Sequence, residues 1–304
     1  MKTLHVLLLA VCFAPAFTAR AAAPEKLRVF VPVLPYEYLF ERIGGDWITV
    51  KAIVQEGGDC HNYSPSPRQV ADISRANLIF SGGLSFEGNF FVALGDGINA
   101  PKEFDLLEGL DLLEGTCSEC EAAKAGGKES ESHEHEHEHE HGELKDAHVW
   151  LSPRILLQQA NHVAVILKQH TPAEAAPAID ANLAALKKDL DQVDAELKAS
   201  LAPKKGRAFY VYHGAFAYFA ADYGLVQKAI EMGNQRPSPK QVTAIAKQAK
   251  SEGVTTLFVQ PQFDQSSATS LAETIGGRVQ TLDPLEKDVL ANLRTIGKAI
   301  AAVP

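Results

Sequence analysis

Leu27-Arg28-Val29-Phe30-Val31-Pro32-Val33 is a short apolar run, rich in β-branched residues, with a proline near its end. That is the pattern of a buried strand. The residues after it decide the fold class. Residues 36–43 read as a helix stopped by Gly44-Gly45, residues 47–54 as a second strand and residues 77–80 as a third. Between the last two, Ser66-Pro67-Arg68-Gln69 opens another helix. Serine caps it, proline takes the first helical position and glutamine completes a capping box. Strand, helix, strand, helix, strand predicts βαβ units and a mostly parallel sheet.

The same rhythm returns downstream. Residues 207–212 read as a strand and 215–223 as a helix; Ser238-Pro239-Lys240-Gln241 opens a capped helix; residues 255–259, 266–275 and 278–282 continue as strand, helix, strand. Pro65-Ser66-Pro67-Arg68-Gln69-Val70 nearly recurs as Pro237-Ser238-Pro239-Lys240-Gln241-Val242, in keeping with two similar lobes. Between them, Ile179, Leu183, Leu186, Leu190, Val193, Leu197 and Leu201 recur at steps of three and four, one face of a long helix. Thr171, Pro172 and Glu174 suit its capping box, and Pro177 marks a kink or its true start. A helix over residues 177–201 runs about 37 Å, long enough to act as a rigid strut.

The expected fold is therefore α/β: two pseudo-symmetric lobes, each with a mostly parallel sheet flanked by helices, joined by one long rigid helix. The expected division is a signal peptide over 1–21, an N-terminal lobe over 22–170, a linking helix over 171–202 and a C-terminal lobe over 203–304. Lys2, an apolar stretch over 6–17 and the small-x-small site Ala19-Arg20-Ala21 read as a cleaved secretory signal, which places the protein in the periplasm. No other segment is apolar and long enough to cross a membrane. The formal net charge of −9, with no basic cluster beyond the extreme N-terminus, excludes a nucleic-acid partner, because phosphate binding needs clustered Lys and Arg.

Residues 108–146 form the one long irregular stretch. Within it His133, His135, His137, His139 and His141 alternate with glutamates. Imidazole and carboxylate both bind divalent transition metals, and nothing apolar packs this backbone, so several weak, exchanging sites are expected. Without the signal three cysteines remain: Cys60, Cys117 and Cys120. Cys117 and Cys120 suit either a small loop disulfide or a metal, which leaves Cys60 over. His61, His148 and His213 match no local zinc spacing. Their contexts say more. His61 lies in a loop between a strand and a capped helix, and His213 and Asp283 each directly follow a strand. Ligands of parallel α/β domains sit beyond the carboxyl ends of strands.

Several spaced motifs then carry a resemblance. Gly58-Asp59-Cys60-His61-Asn62-Tyr63 with Pro65-Ser66-Pro67, Ala76-Asn77-Leu78-Ile79-Phe80 with Gly83 and Glu87, and Asp146-Ala147-His148-Val149-Trp150-Leu151 resemble, in that order, segments of the cluster A-I metal-binding proteins of ABC importers. So do Tyr212-His213-Gly214-Ala215-Phe216 and Leu282-Asp283-Pro284-Leu285, and the acidic histidine loop resembles that of the zinc-specific branch. The resemblance spans nearly the whole mature chain. It implies metal ligation by His61, His148 and His213 with Asp283 near or in a fourth position, and delivery of Zn²⁺ to a membrane permease and its ATPase by a monomer.

Three residues depart from the family pattern. Gly214 and Gln260 stand where acidic residues are frequent, and Cys60 stands where a proline or carboxylate is frequent. A thiolate binds Zn²⁺ strongly, so Cys60 is an alternative fourth ligand to Asp283. Three imidazoles and a carboxylate suit tetrahedral Zn²⁺, whereas Mn²⁺ favours more oxygen; Mn²⁺ or Fe²⁺ is the alternative cargo. A zinc hydrolase or deaminase is disfavoured, since neither the His-Glu-x-x-His helix nor the deaminase signature is present and Glu56, Asp59 and Glu87, which could serve as bases, have simpler uses in surface charge or local hydrogen bonding. An adhesin reading has no repeat array to support it.

Overall fold

The computed structural model describes residues 25–94, 100–115, 145–231, 238–263 and 265–303. The expected signal segment, Cys117, Cys120 and the five histidines of the acidic loop lie outside the described residues.

Two four-stranded sheets are built, both wholly parallel. The first comprises β1 (Leu27–Val31), β2 (Ile48–Ala52), β3 (Leu78–Ser81) and β4 (Lys102–Asp105) in the order β2-β1-β3-β4. The second comprises β5 (Ala208–Val211), β6 (Val226–Ala229), β7 (Thr256–Val259) and β8 (Arg278–Thr281) in the order β6-β5-β7-β8. The topology is the same twice over, as two similar lobes require. In the first lobe the strands are connected by α1 (Leu34–Gly44), α2 (Pro67–Ile73) and α3 (Glu87–Leu94). The near-repeat is structural too. Ser66 and Ser238 both accept from the backbone of the glutamine three residues on, and both glutamines reach back to the cap backbone. Two edge strands, β4 and β6, have no sequence signal. Their residues are mostly polar and only partly covered, so neither apolar run nor clean alternation marks them.

Between the sheets lie α4 (Pro153–His170) and α5 (Ala176–Leu201). The second lobe continues with α6 (Ala217–Tyr223), α7 (Pro239–Ser251), α8 (Gln265–Ile275) and the C-terminal α9 (Val289–Ala301). Helix α5 is the expected strut, about 39 Å long at 1.5 Å per residue. Ile179, Leu186, Leu190, Val193, Leu197 and Leu201 are buried along one stripe of it, against α1 and α4 on one side and α9 on the other. Pro177 sits in its first turn and does not interrupt it, because the amides of a first turn have no intrahelical acceptor. The expected capping box does not form. The Thr171 hydroxyl donates to Leu167 O at 2.7 Å and so closes α4, while α5 is entered through a short 3₁₀ turn over Ala173–Ala175 with no side-chain cap.

Polar ties reinforce this frame. Arg42 of α1 pairs with Asp189 of α5 at 2.7 Å, and Arg294 of α9 with Glu196 of α5 at 2.6 Å. Lys287 reaches across the lobes to Glu37 and Glu41 at 2.7 and 2.8 Å, and the Trp150 indole donates to Pro284 O at 2.8 Å. One apolar cluster runs without a break from β1 through α5 to α9. Among the described residues no helix is long and apolar enough to cross a membrane.

Candidate metal site

Three segments converge between the lobes. His61 comes from the loop that joins β2 to α2, a loop shaped by Asp59, whose carboxylate accepts from the His61 amide at 2.9 Å and from Asn62 Nδ2 at 2.8 Å. Ser85 Oγ donates to His61 O at 3.1 Å and ties the same loop to the segment after β3. His148 precedes a 3₁₀ turn (Val149–Leu151) that leads into α4. The base of the irregular stretch is pinned beside it: Glu114 and Lys145 form an antiparallel bridge, and the Tyr218 hydroxyl donates to Asp146 O at 2.7 Å. His213 lies two residues beyond β5, as parallel-sheet sites are built.

The rings meet. Centroids lie 4.6 Å apart for His61 and His213, 5.3 Å for His61 and His148, and 5.5 Å for His148 and His213. His61 is 9 %, His148 1 % and His213 2 % exposed. A carboxylate backs two of them. His148 Nδ1 is 2.8 Å from Asp146 Oδ1, and His213 Nδ1 is 3.1 Å from Glu231 Oε2. A carboxylate on Nδ1 holds the N–H there and leaves the lone pair on Nε2, the arrangement that orients a metal-binding imidazole. Phe263 stacks on the His213 ring at 4.8 Å, and Gln260 grips the His213 backbone from both ends, accepting from its amide at 3.2 Å and donating to its carbonyl at 2.7 Å.

Burial pushes the His213 ring well below its ordinary pKa, helped by the charges of the two neighbouring rings, so it stays neutral. His148 goes the other way. Burial opposes its charge, but the charge and hydrogen bond of Asp146 prevail, with a further bond to Cys60, and the ring is held up to about 9. Cys60 is 4 % exposed. Burial would raise its thiol, yet hydrogen bonds with His148 and His61 bring it down to about 7. Burial raises Glu231 to about 7, against the pull of His61.

Asp283, the expected fourth ligand, is itself hydrogen-bonded. Its Oδ1 accepts from Gln262 Nε2 at 3.0 Å and from the Leu285 amide at 2.8 Å, and it lines a cavity of about 310 Å³ with Glu37, Glu56 and Lys287. Among the described residues, the group whose ligand atoms all lie within 4.8 Å of one another is Cys60, His61 and His148. Glu87, one of the candidate bases, instead accepts from the amides of Gly82 and Leu84 and shapes the turn after β3. Asp146 and Glu231 have no role in the sequence reading. Glu231 carries the signal used for His213, since it lies just past the end of β6, but that strand is itself silent in the sequence.

A profile of the family described as "Zinc-uptake complex component A periplasmic" (ZnuA) matches residues 29–300. The chain belongs to this family. Its members are zinc-binding solute-binding proteins of the cluster A-I group, as the resemblance implied. Among curated relatives of the ZnuA family, the "High-affinity zinc uptake system protein ZnuA" of Brucella abortus is 30% identical, the match covering 94% of this chain and 92% of that one. A crystal structure of ZnuA superposes with a TM-score of 0.79 at 32% identity, over 92% of this chain and 99% of the other. A zinc-bound ZnuA deletion mutant superposes with a TM-score of 0.78 at 31% identity, over 91% and 97%.

Proposed function

We propose that the protein captures Zn²⁺ in the periplasm, between its two lobes, through the imidazoles of His61, His148 and His213, and hands it to an ABC permease and its ATPase. The observation that carries this reading is a single one. Three buried rings from separate segments meet within 5.5 Å, and among the described residues His213 Nε2 has no hydrogen-bond partner. A buried polar nitrogen left without a partner costs about 1–3 kcal/mol, and a metal ion removes that cost. Nitrogen donors suit Zn²⁺ better than Mn²⁺. We read it as a carrier and not an enzyme, in keeping with the solute-binding family to which the chain belongs.

In this reading residues 1–21 are a cleaved export signal, and 22–170 and 203–304 are lobes held at a fixed spacing by a helix over 171–202. The monomer is the working unit. His133, His135, His137, His139 and His141 form a secondary, weak metal-collecting segment. Deleting residues 129–143 should lower metal capacity and spare the tight site. The direct test is a titration of the purified protein with Zn²⁺ in competition with Mn²⁺. One Zn²⁺ per chain bound in preference to Mn²⁺, and lost in His213→Ala, is expected; equal affinity for both ions, or a His213→Ala protein that binds as tightly as the native one, defeats the reading.

A further inference from the structure

We infer that Cys60 supplies the fourth donor to the captured ion, as a thiolate, and is the residue that sets its selectivity. The inference rests on the capture reading above. Its basis is the distribution of donors. The carboxylates beside the rings act on them from behind, through Nδ1 and the backbone: Asp146 Oδ1 holds the ring and amide of His148, and Glu231 Oε2 the ring of His213. The Cys60 sulfur alone joins two of the imidazoles in a group whose atoms all lie within 4.8 Å of one another. A sulfur and a nitrogen on one tetrahedral Zn²⁺ stand about 3.6 Å apart, so the group has to close by no more than about 1.2 Å on binding.

A buried cysteine more often serves as a small apolar filler. Here its surroundings differ from those of a filler. The sulfur lies within 4.8 Å of a ligand nitrogen of each of two rings, His61 and His148, and the backbone on its C-terminal side is fixed through His61 by Asp59 and Ser85. The ring that completes the set, His213, has a buried Nε2 with no hydrogen-bond partner among the described residues. On coordination a metal–sulfur bond forms, the S–H bond (or its equivalent N–H on a neighbouring ring) breaks, and one proton leaves to water.

The consequence is chemical selection. A soft thiolate favours Zn²⁺ and disfavours Mn²⁺ and Fe²⁺ more strongly than a carboxylate in the same place. The test uses Co²⁺ as a visible surrogate in the full mature chain, against a Cys117→Ser/Cys120→Ser background that removes the other thiols. Tetrahedral d–d absorption together with a sulfur-to-cobalt charge-transfer band is expected. Cys60→Ser and Cys60→Ala should keep the d–d bands, lose the charge-transfer band and lower the Zn²⁺:Mn²⁺ affinity ratio by about 10-fold or more, because the soft donor is the one that favours Zn²⁺. Cys60→Asp should regain affinity for Mn²⁺. Histidine-dependent d–d bands without charge transfer in the Cys60-containing protein would overturn the thiolate alone. Absence of any His213-dependent cobalt binding would overturn the capture reading beneath it.

Discussion

The two lobes have the same strand order and the same capped helix after their second strand, yet they meet the metal site with different parts. In the N-terminal lobe the loop after β2 carries Cys60 and His61, and the end of β1 is the buried pair Pro32 and Val33. In the C-terminal lobe the assignment is reversed. The end of β5 carries His213, and the loop after β6 carries Glu231, which holds His213 from behind. A repeated scaffold fixes where ligands can stand, at the carboxyl ends of parallel strands. It does not fix which strand ends are used. Each lobe supplies part of the proposed coordination shell, and the segment that contains Asp146 and His148 supplies the rest.

Substitutions can break that division of labour. The largest effect is expected from His61→Ala and His213→Ala. A complete zinc site provides about 10–16 kcal/mol, so loss of one ligand should weaken Zn²⁺ capture roughly 1,000-fold or more. Competition titration should show similar losses from both lobes; a large loss from one with none from the other would assign the site to a single lobe. Asp146→Asn and Glu231→Gln remove the groups that orient His148 and His213, and should cost about 10- to 100-fold in affinity with the fold intact. An undiminished affinity in Glu231→Gln would make the C-terminal carboxylate a bystander.

Acidity separates the same two rings. His148 is held up to about 9, so protons compete with metal there as pH falls from about 9 downward, while His213, held low, keeps its lone pair throughout. Capture should therefore weaken steadily toward pH ~5, where ordinary imidazoles with a pKa of ~6.5 are also protonated. A flat profile of Zn²⁺ affinity against pH would count against histidine ligation.

Two smaller effects sharpen the comparison of scaffolds. Ser66→Ala and Ser238→Ala should each destabilise by about 1 kcal/mol in denaturant unfolding, and by similar amounts, if the two capping boxes are equivalent. Lys287→Ala removes a partly exposed tie between the lobes and should change stability by no more than ~1 kcal/mol, because the strut and the shared apolar cluster hold the lobes together without it.

Much of this was legible in the chain. Apolar runs such as residues 27–33 and the three-and-four spacing of Ile179 to Leu201 are local patterns. Burial acts on them in a way that depends only on period, so they announce strands and the strut directly. The edge strands β4 and β6 could not be read, because β4 (Lys-Glu-Phe-Asp) holds a single apolar residue and the two apolar residues of β6 (Val-Gln-Lys-Ala) neither adjoin nor alternate. Thr171 was legible as a capping residue but not as the cap of the wrong helix end, since its hydroxyl had two candidate partners and only packing chose between them.

Two parallel-sheet lobes and the helix between them could be read from the chain alone, because each follows from short-range periodicity and capping chemistry. It took the folded chain to bring the rings of His61, His148 and His213 together in one buried place, with Asp146 and Glu231 behind two of them and Cys60 beside His61 and His148. Those are distances between segments up to 152 residues apart in the chain, counted from His61 to His213, and no local pattern encodes them.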